Sequence, residues 1–212
     1  MAPPEIKTIV FDLGGVYFTN GSVIAMAKIK EIYEIKDVER LKMIFSNKPG
    51  TPGEQIRLGL ITMEEFENRA ISELNIPKKE KHHIHHLWFG SYVPNYKMAE
   101  LTQKLKENYK IMAFSGNVKE RIEYLDKRYN FLKNFNECIF SYDYQLNKEH
   151  AEFYKILIEH LDCKPQNALF IDDEKTNINL AESFGFNCIL YYYTEQLIEE
   201  LKKYGIEINI FE

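Results

Sequence analysis

The 212-residue sequence has three cysteines, Cys138, Cys163 and Cys188, too few and too widely spaced for a disulfide framework or a zinc ligand set. They read as reduced thiols, with Cys138 and Cys188 as small core residues inside apolar runs. Glycine and proline are sparse, at 10 and 7, and neither a low-complexity linker nor an internal repeat is visible. No apolar run approaches the ~20 residues needed to cross a bilayer. The opening Met1-Ala2-Pro3-Pro4 has neither the charged nor the apolar region of a secretory leader, so a cytoplasmic location is expected. There is no basic excess. The 27 Lys and Arg residues against 32 Asp and Glu give a net charge of −5, which argues against a clustered basic surface for nucleic acid.

What is present is a hydrophobic content of 45%, enough for a sizeable core. The length fits one domain with an insertion, or one large and one small domain. From about residue 94 onward, short apolar runs alternate with amphipathic segments of helical length. Strands are expected at 9–11, 110–114, 138–140, 168–171 and 187–191, and helices at 98–108, 118–129, 152–161, 175–184 and 195–204. This alternation predicts an α/β fold, a Rossmann-like parallel sheet with helices on both faces.

The stretch 17–93 is different and reads as almost wholly helical. Thr62-Met63-Glu64-Glu65 is a capping box, and Phe66, Ala70, Ile71 and Leu74 follow at helical spacing. Pro49-Gly50-Thr51-Pro52-Gly53 reads as a loop that splits the region. A helical block after the first strand is expected to form a cap over the carboxyl edge of the sheet. The expected division is a core of 1–16 and 94–212 with a cap of 17–93.

Polar residues collect where the predicted strands end. Asp12 closes the run Ile9-Val10-Phe11 and is followed by Leu13-Gly14-Gly15-Val16. Ser115-Gly116-Asn117 follows the second strand, a polar loop with Lys148 the third, and Asp172-Asp173 the fourth. Carboxyl ends of parallel strands share one edge, so these groups should converge. Each has a plainer reading alone. Asp12 or Ser115 suits a helix cap, Asp172-Asp173 an acidic helix start, and Lys148 a solvated charge. Together they suit phosphoryl transfer through an aspartyl phosphate. A carboxylate attacks phosphorus, Ser115 and the amide after it donate to phosphate oxygens, Lys148 adds positive charge, and a divalent cation on hard oxygen ligands offsets repulsion.

These motifs resemble those of the haloacid dehalogenase superfamily over nearly the whole chain. Phe11-Asp12-Leu13-Gly14-Gly15-Val16 is similar to the first motif, with Asp12 in the nucleophile position. Phe114-Ser115-Gly116-Asn117 resembles the second motif, Lys148 the third, and Phe170-Ile171-Asp172-Asp173 the acidic fourth. Arg57-Leu58-Gly59-Leu60-Ile61-Thr62 resembles the helical-cap subgroup that includes sugar-phosphate phosphatases and the amino-terminal phosphatase domain of epoxide hydrolase.

The resemblance implies sheet order 5-4-1-2-3 and Mg²⁺ held by Asp12, the Gly14 carbonyl and Asp173, with Asp172 direct or one shell out. It implies phosphate binding by Ser115, Gly116, Asn117 and Lys148. The implied substrate is a small phosphomonoester, a sugar phosphate first and a nucleotide or other metabolite next, acted on by a monomer or homodimer. Neither nucleic acid nor membrane is expected as a partner. Three positions depart from the family pattern. Gly14 replaces a second Asp that shuttles protons, Glu149 replaces Pro, and Gly116 replaces Asn. Gly14 keeps two alternatives open: a weakly catalytic or non-catalytic regulatory protein that binds phosphorylated ligands, and carbon–halogen hydrolysis. His82-His83-Ile84-His85-His86 reads as the solvated face of a helix starting at Pro77, with Ile84, Leu87 and Trp88 buried. Tyr191-Tyr192-Tyr193 reads as the end of a core strand.

Overall fold

The computed structural model describes residues 4–208; residues 1–3, most of the segment read for a leader, lie outside the described residues. The chain begins with β1 (Thr8–Phe11) and continues into α1 (Gly21–Ile32), α2 (Val38–Phe45), α3 (Pro52–Arg57), α4 (Met63–Leu74) and α5 (His83–Phe89). The alternating series follows: α6 (Tyr96–Lys106), β2 (Lys110–Ser115), α7 (Lys119–Tyr129), β3 (Glu137–Phe140), α8 (Ser141–Tyr144) and α9 (Ala151–Glu159). It closes with β4 (Ala168–Asp172), α10 (Lys175–Ser183), β5 (Asn187–Leu190) and α11 (Thr194–Lys202).

The strands form one parallel sheet in the order β3-β2-β1-β4-β5, the expected order read from the opposite edge. Successive side chains of a strand point to opposite faces, and here both faces are apolar. Ile9, Phe11, Ile111, Ala113, Leu169 and Ile171 enter one cluster, which α6, α7 and α11 cover with Met98, Leu101, Leu105, Ile122, Leu125, Leu197 and Leu201. Val10, Met112, Phe114, Ile139 and Phe170 enter the other, covered by Phe153, Tyr154 and Leu157 of α9 and Ile178 and Ala181 of α10. Burial on both sides is why the central strands read as continuous apolar runs.

The register places the strand ends together. Phe11 pairs with Ala113 on one side and Ile171 on the other. The Asp12 amide continues the ladder, donating to the Ile171 carbonyl at 2.9 Å. Asp12, Ser115 and Asp172 therefore leave the sheet at one edge.

The segment between β1 and α6 is helical, and its centre is Trp88. This fully buried ring stacks on Phe66 at 5.0 Å and meets Phe45 edge-on at 5.1 Å, joining α2, α4 and α5. The capping box at Thr62 is present, with Glu65 Oε2 accepting from the Thr62 amide at 2.8 Å. Several boundaries differ from expectation. The loop before α3 ends at Thr51, because Thr51 caps the helix and Pro52 takes its first turn, where a missing N–H is harmless. A 3₁₀ turn at Lys78–Glu80 precedes α5, which starts at His83 rather than Pro77. Between Pro77 and Ile84 no apolar side chain is available to anchor an α-helical turn.

The histidine run is not uniformly solvated. His82, His83 and His86 are exposed, but His85 is half-buried, its Nδ1 2.5 Å from Oε1 of the buried Glu67. Leu87 is only partly covered, whereas Ile84 and Trp88 are buried as expected. Strand β5 stops at Leu190, where its pairing with Asp172 ends, so Tyr191 is buried while Tyr192 and Tyr193 are exposed. Cys138 and Cys188 are half-buried rather than central, because β3 and β5 are the sheet's edges.

Phe170 lies between Phe114, Tyr154 and Phe186, at 5.9–6.0 Å between ring centroids. Phe170→Ala should lower stability by about 3–5 kcal/mol, the range for removing a fully buried aromatic ring. The check is the urea midpoint at unchanged m-value.

Candidate active site

The centre of the site is a buried ammonium between two carboxylates. Lys148 Nζ lies 2.8 Å from Asp12 Oδ1 and 2.6 Å from Asp172 Oδ2. Asp172, the last residue of β4, is fully buried. Its Oδ1 accepts from the Glu174 amide at 2.8 Å and from Asn177 Nδ2 at 3.0 Å, and Nδ2 also lies 3.2 Å from Oδ2. Both oxygens of Asp172 are thus committed within the protein. Asp12 and Asp173 line the adjoining cavity, and Asp172 does not. Carboxylate oxygens of Asp12, Asp172 and Asp173 can all lie within 4.8 Å of one another.

Lys148 pairs with Asp12 and Asp172, with Asp173 close by as a third carboxylate. Burial, with Asp172 nearby, outweighs Lys148 and pushes the Asp12 carboxyl up to about 6. Burial and the charges of Asp12 and Asp172 push Asp173 up to about 7. Burial opposes the charge on Lys148, but Asp12 and Asp172 more than reverse it and raise its pKa. A second cation would complete the charge balance, and hard oxygen donors of this kind suit Mg²⁺.

The loop after β2 supplies Ser115, Gly116 and Asn117, all lining the cavity. Ser115 does not cap α7: the capping position is Val118, with no side-chain hydrogen bond. Asn117 is largely occupied by its own fold. Its Oδ1 accepts from Val118 N and Arg121 Nε, its Nδ2 donates to Ser115 Oγ at 3.3 Å, and its amide donates to Ser141 Oγ at 3.0 Å. Ser141 Oγ in turn donates to the Arg57 carbonyl at 2.6 Å. A Cβ added to Gly116 would meet nothing within 4 Å, so this glycine leaves open space above the loop.

The two glycines after Asp12 differ in kind. Gly15 has φ +84°, and a Cβ there would lie 2.1 Å from Asp173 Oδ2. Gly14 has no such conformation, and its nearest neighbour to an added Cβ is Tyr92 at 3.6 Å. Only Gly15 is required by the backbone.

The helical block and α7 complete the cavity, about 230 Å³ in volume, with Ser22, Arg57, Tyr92 and Arg121. The sequence marks none of these four individually: Arg57 stands within the motif that resembles the helical-cap subgroup, and Arg121 sits on α7 beside Ile122 with nothing in the helical pattern to distinguish it. Lys148 and Asn177 also line the cavity. Among the described residues, no helix is long and apolar enough to cross a membrane.

Residues 6–185 match the haloacid dehalogenase-like hydrolases, and the chain belongs to that family. It is 29% identical over 168 residues to an uncharacterized protein of Dictyostelium discoideum, covering 76% of this chain and 69% of that one. It is 22% identical over 181 residues to the sesquiterpene phosphatase of Aspergillus oryzae, covering 84% and 86%. Among solved structures, a family enzyme of Bacteroides thetaiotaomicron in complex with magnesium superposes with a TM-score of 0.72 at 25% identity, covering 87% of this chain and 92% of that one.

Gly15→Ala should destabilise the protein and displace Asp173, whereas Gly14→Asp should keep a melting temperature within a few degrees of wild type, as measured by thermal unfolding. A separate expectation concerns pH. Because the folded-state value of Asp173, about 7, exceeds its ordinary 3.8, the folded protein binds the extra proton between these values. Its contribution to stability is complete below the ordinary value and is lost as the pH rises through about 7. Metal-free wild type should therefore lose melting temperature relative to Asp173→Asn as the buffer is taken from about pH 4.5 to about pH 7.5.

Proposed function

We propose that this chain is a Mg²⁺-dependent phosphatase of small phosphomonoesters working through an aspartyl phosphate, with residues 17–93 acting as a cap over the site. The observation that carries the reading is Asp12, anchored on Lys148 by one oxygen, in a cavity it shares with Ser115 and Asp173. The other Asp12 oxygen has no ion-pair partner among the described residues and serves as the nucleophile. Its bond to phosphorus forms as the phosphorus–oxygen bond to the leaving group breaks. Water then attacks the same phosphorus, breaks the bond to Asp12, and releases inorganic phosphate.

Ser115 and the Gly116 amide donate to the phosphate oxygens, and Lys148 holds Asp12 in line. The carboxylate cluster fits a divalent cation because three negative side chains face one ammonium. Asp12, the Gly14 carbonyl and Asp173 would hold it, while Asp172 acts through Lys148 and Asn177. When bound, Mg²⁺ lowers the repulsion between the carboxylates and the phosphate. The magnesium complex of the Bacteroides relative and the phosphatase name of the Aspergillus relative support this reading. The cavity of about 230 Å³ lies below the ~300–1,000 Å³ usual for drug-sized ligands and favours a small substrate. Gly14 offers no side chain to protonate the leaving group, so esters with good leaving groups lose least.

The test is turnover of 4-nitrophenyl phosphate with and without Mg²⁺, followed by a screen of sugar phosphates and nucleotides. Asp12→Asn should remain folded and lose activity by about 10³-fold or more, the scale of removing a nucleophile. Near-normal activity in that variant, or equal rates in chelator, would reject the mechanism.

A further inference from the structure

Two buried guanidinium groups line the same cavity, and among the described residues no ion pair joins either to a carboxylate, although Asp12 and the Tyr92 hydroxyl both favour the charge on Arg121. Arg57 is 6% exposed and Arg121 1%, and both line the cavity with Asp12 and Ser115. Arg57 Nη1 donates to the Phe45 and Gly53 carbonyls at 3.2 and 2.7 Å, and its Nη2 to Ser22 Oγ at 3.3 Å. Arg121 Nε donates to Asn117 Oδ1 at 2.8 Å, while its Nη1 is buried with no hydrogen-bond partner. Both lie over Trp88, at 5.1 and 5.0 Å from the ring centroid, and Arg121 lies 4.3 Å over Tyr92. Glu54, the buried carboxylate nearest in sequence to Arg57, instead accepts from the Gly50 amide at 2.6 Å.

Carbonyls and ring faces satisfy the shape of these groups but do not neutralise them. Burial, together with the charge of Arg121, lowers Arg57 to about 10, which still leaves it charged at neutral pH. The cavity therefore has a surplus of negative charge on the sheet side, at Asp12 and Asp173, and a surplus of positive charge at Arg57 and Arg121. A guanidinium with an unused N–H, desolvated and facing a cavity, is matched by an oxyanion.

We propose that Arg57 and Arg121 form an anion subsite, so that the substrate carries a second anionic oxyacid group besides the phosphate that is cleaved. The proposal rests on the phosphatase reading and adds to it the charge of the leaving group. Arg121, with its unpaired Nη1, makes the direct contact. Arg57, held by two carbonyls, supplies charge and fixes the wall. The oxyacid is a carboxylate or a second phosphate, and the small cavity holds it on a short carbon chain.

The experiment separates binding from turnover. Binding is measured by calorimetry on Asp12→Asn with Mg²⁺, using glycerol 3-phosphate as the neutral probe, 3-phosphoglycerate as the carboxylate probe and propane-1,3-diyl bisphosphate as the phosphate probe. At least one anionic probe should bind about tenfold or more tighter than the neutral one, as expected for a charged hydrogen bond in a desolvated site. The two anionic arms show which oxyacid is preferred. Adding Arg121→Met should bring the preference to within about twofold, and Arg121→Lys should retain part of it. Equal binding of all three probes overturns the proposal, as does an unchanged preference in a folded Arg121→Met protein. If Arg121→Met does not fold, Arg121→Lys decides, and an unaltered preference there overturns it. A selective subsite in a wild-type protein that hydrolyses neither 4-nitrophenyl phosphate nor the anionic probes would leave the subsite standing and remove the phosphatase reading instead.

Discussion

The ammonium of Lys148, shared by Asp12 and Asp172, is the interaction on which the rest of the site depends. Without it two carboxylates would be buried against each other, at a cost that folding could not readily offset. Each member is delivered by a different part of the fold. The parallel register brings the ends of β1 and β4 side by side, the loop before α9 brings Lys148, and the first turn of α10 brings Asn177. The arrangement still leaves an excess of negative charge, since Asp173 adds a third carboxylate. That excess is an electrostatic demand for a cation, built by the same register that builds the sheet.

The fold was legible because it rests on simple periodicities. Strands buried on both faces leave unbroken apolar runs, and helices that cover a sheet leave one apolar stripe each. The core of the site was legible for a related reason. Asp12, Ser115 and Asp173 sit where those runs stop, Lys148 lies in the polar loop beyond the third, and polar residues at strand ends need few other constraints to be noticed. The commitment of Asp172 was not legible. An Asp-Asp pair gives no sign of which carboxylate faces inward, and only the Asn177 and Glu174 donors decide it. Arg57 and Arg121 were invisible in another way. A helix records its own apolar stripe, but a polar residue beside the stripe is buried or exposed according to what packs there later. Trp88 and Tyr92, distant in sequence, make that choice. The exact beginning of α5 was likewise set by where the first apolar anchor falls, not by Pro77.

The site is therefore assembled from two sources with opposite electrostatic character. The sheet edge contributes carboxylates whose protonation is favoured by burial, and α3 and α7 contribute guanidiniums whose deprotonation is favoured by it. Trp88 ties α2, α4 and α5 together while carrying a guanidinium near its face, so the packing centre of the helical block also supports Arg57 and Arg121 of the cavity wall.

Ser141 joins these two halves through one hydroxyl. It receives the Asn117 amide from the loop after β2 and gives its own proton to the Arg57 carbonyl at the end of α3. No separation of the helical block from the sheet can occur without breaking that link and leaving a buried carbonyl unpaired. Breaking that link is therefore part of the cost of any movement of the helical block away from the sheet. The Asn117 amide is a natural clock for it, since its hydrogen can exchange with solvent only when the hydroxyl lets go.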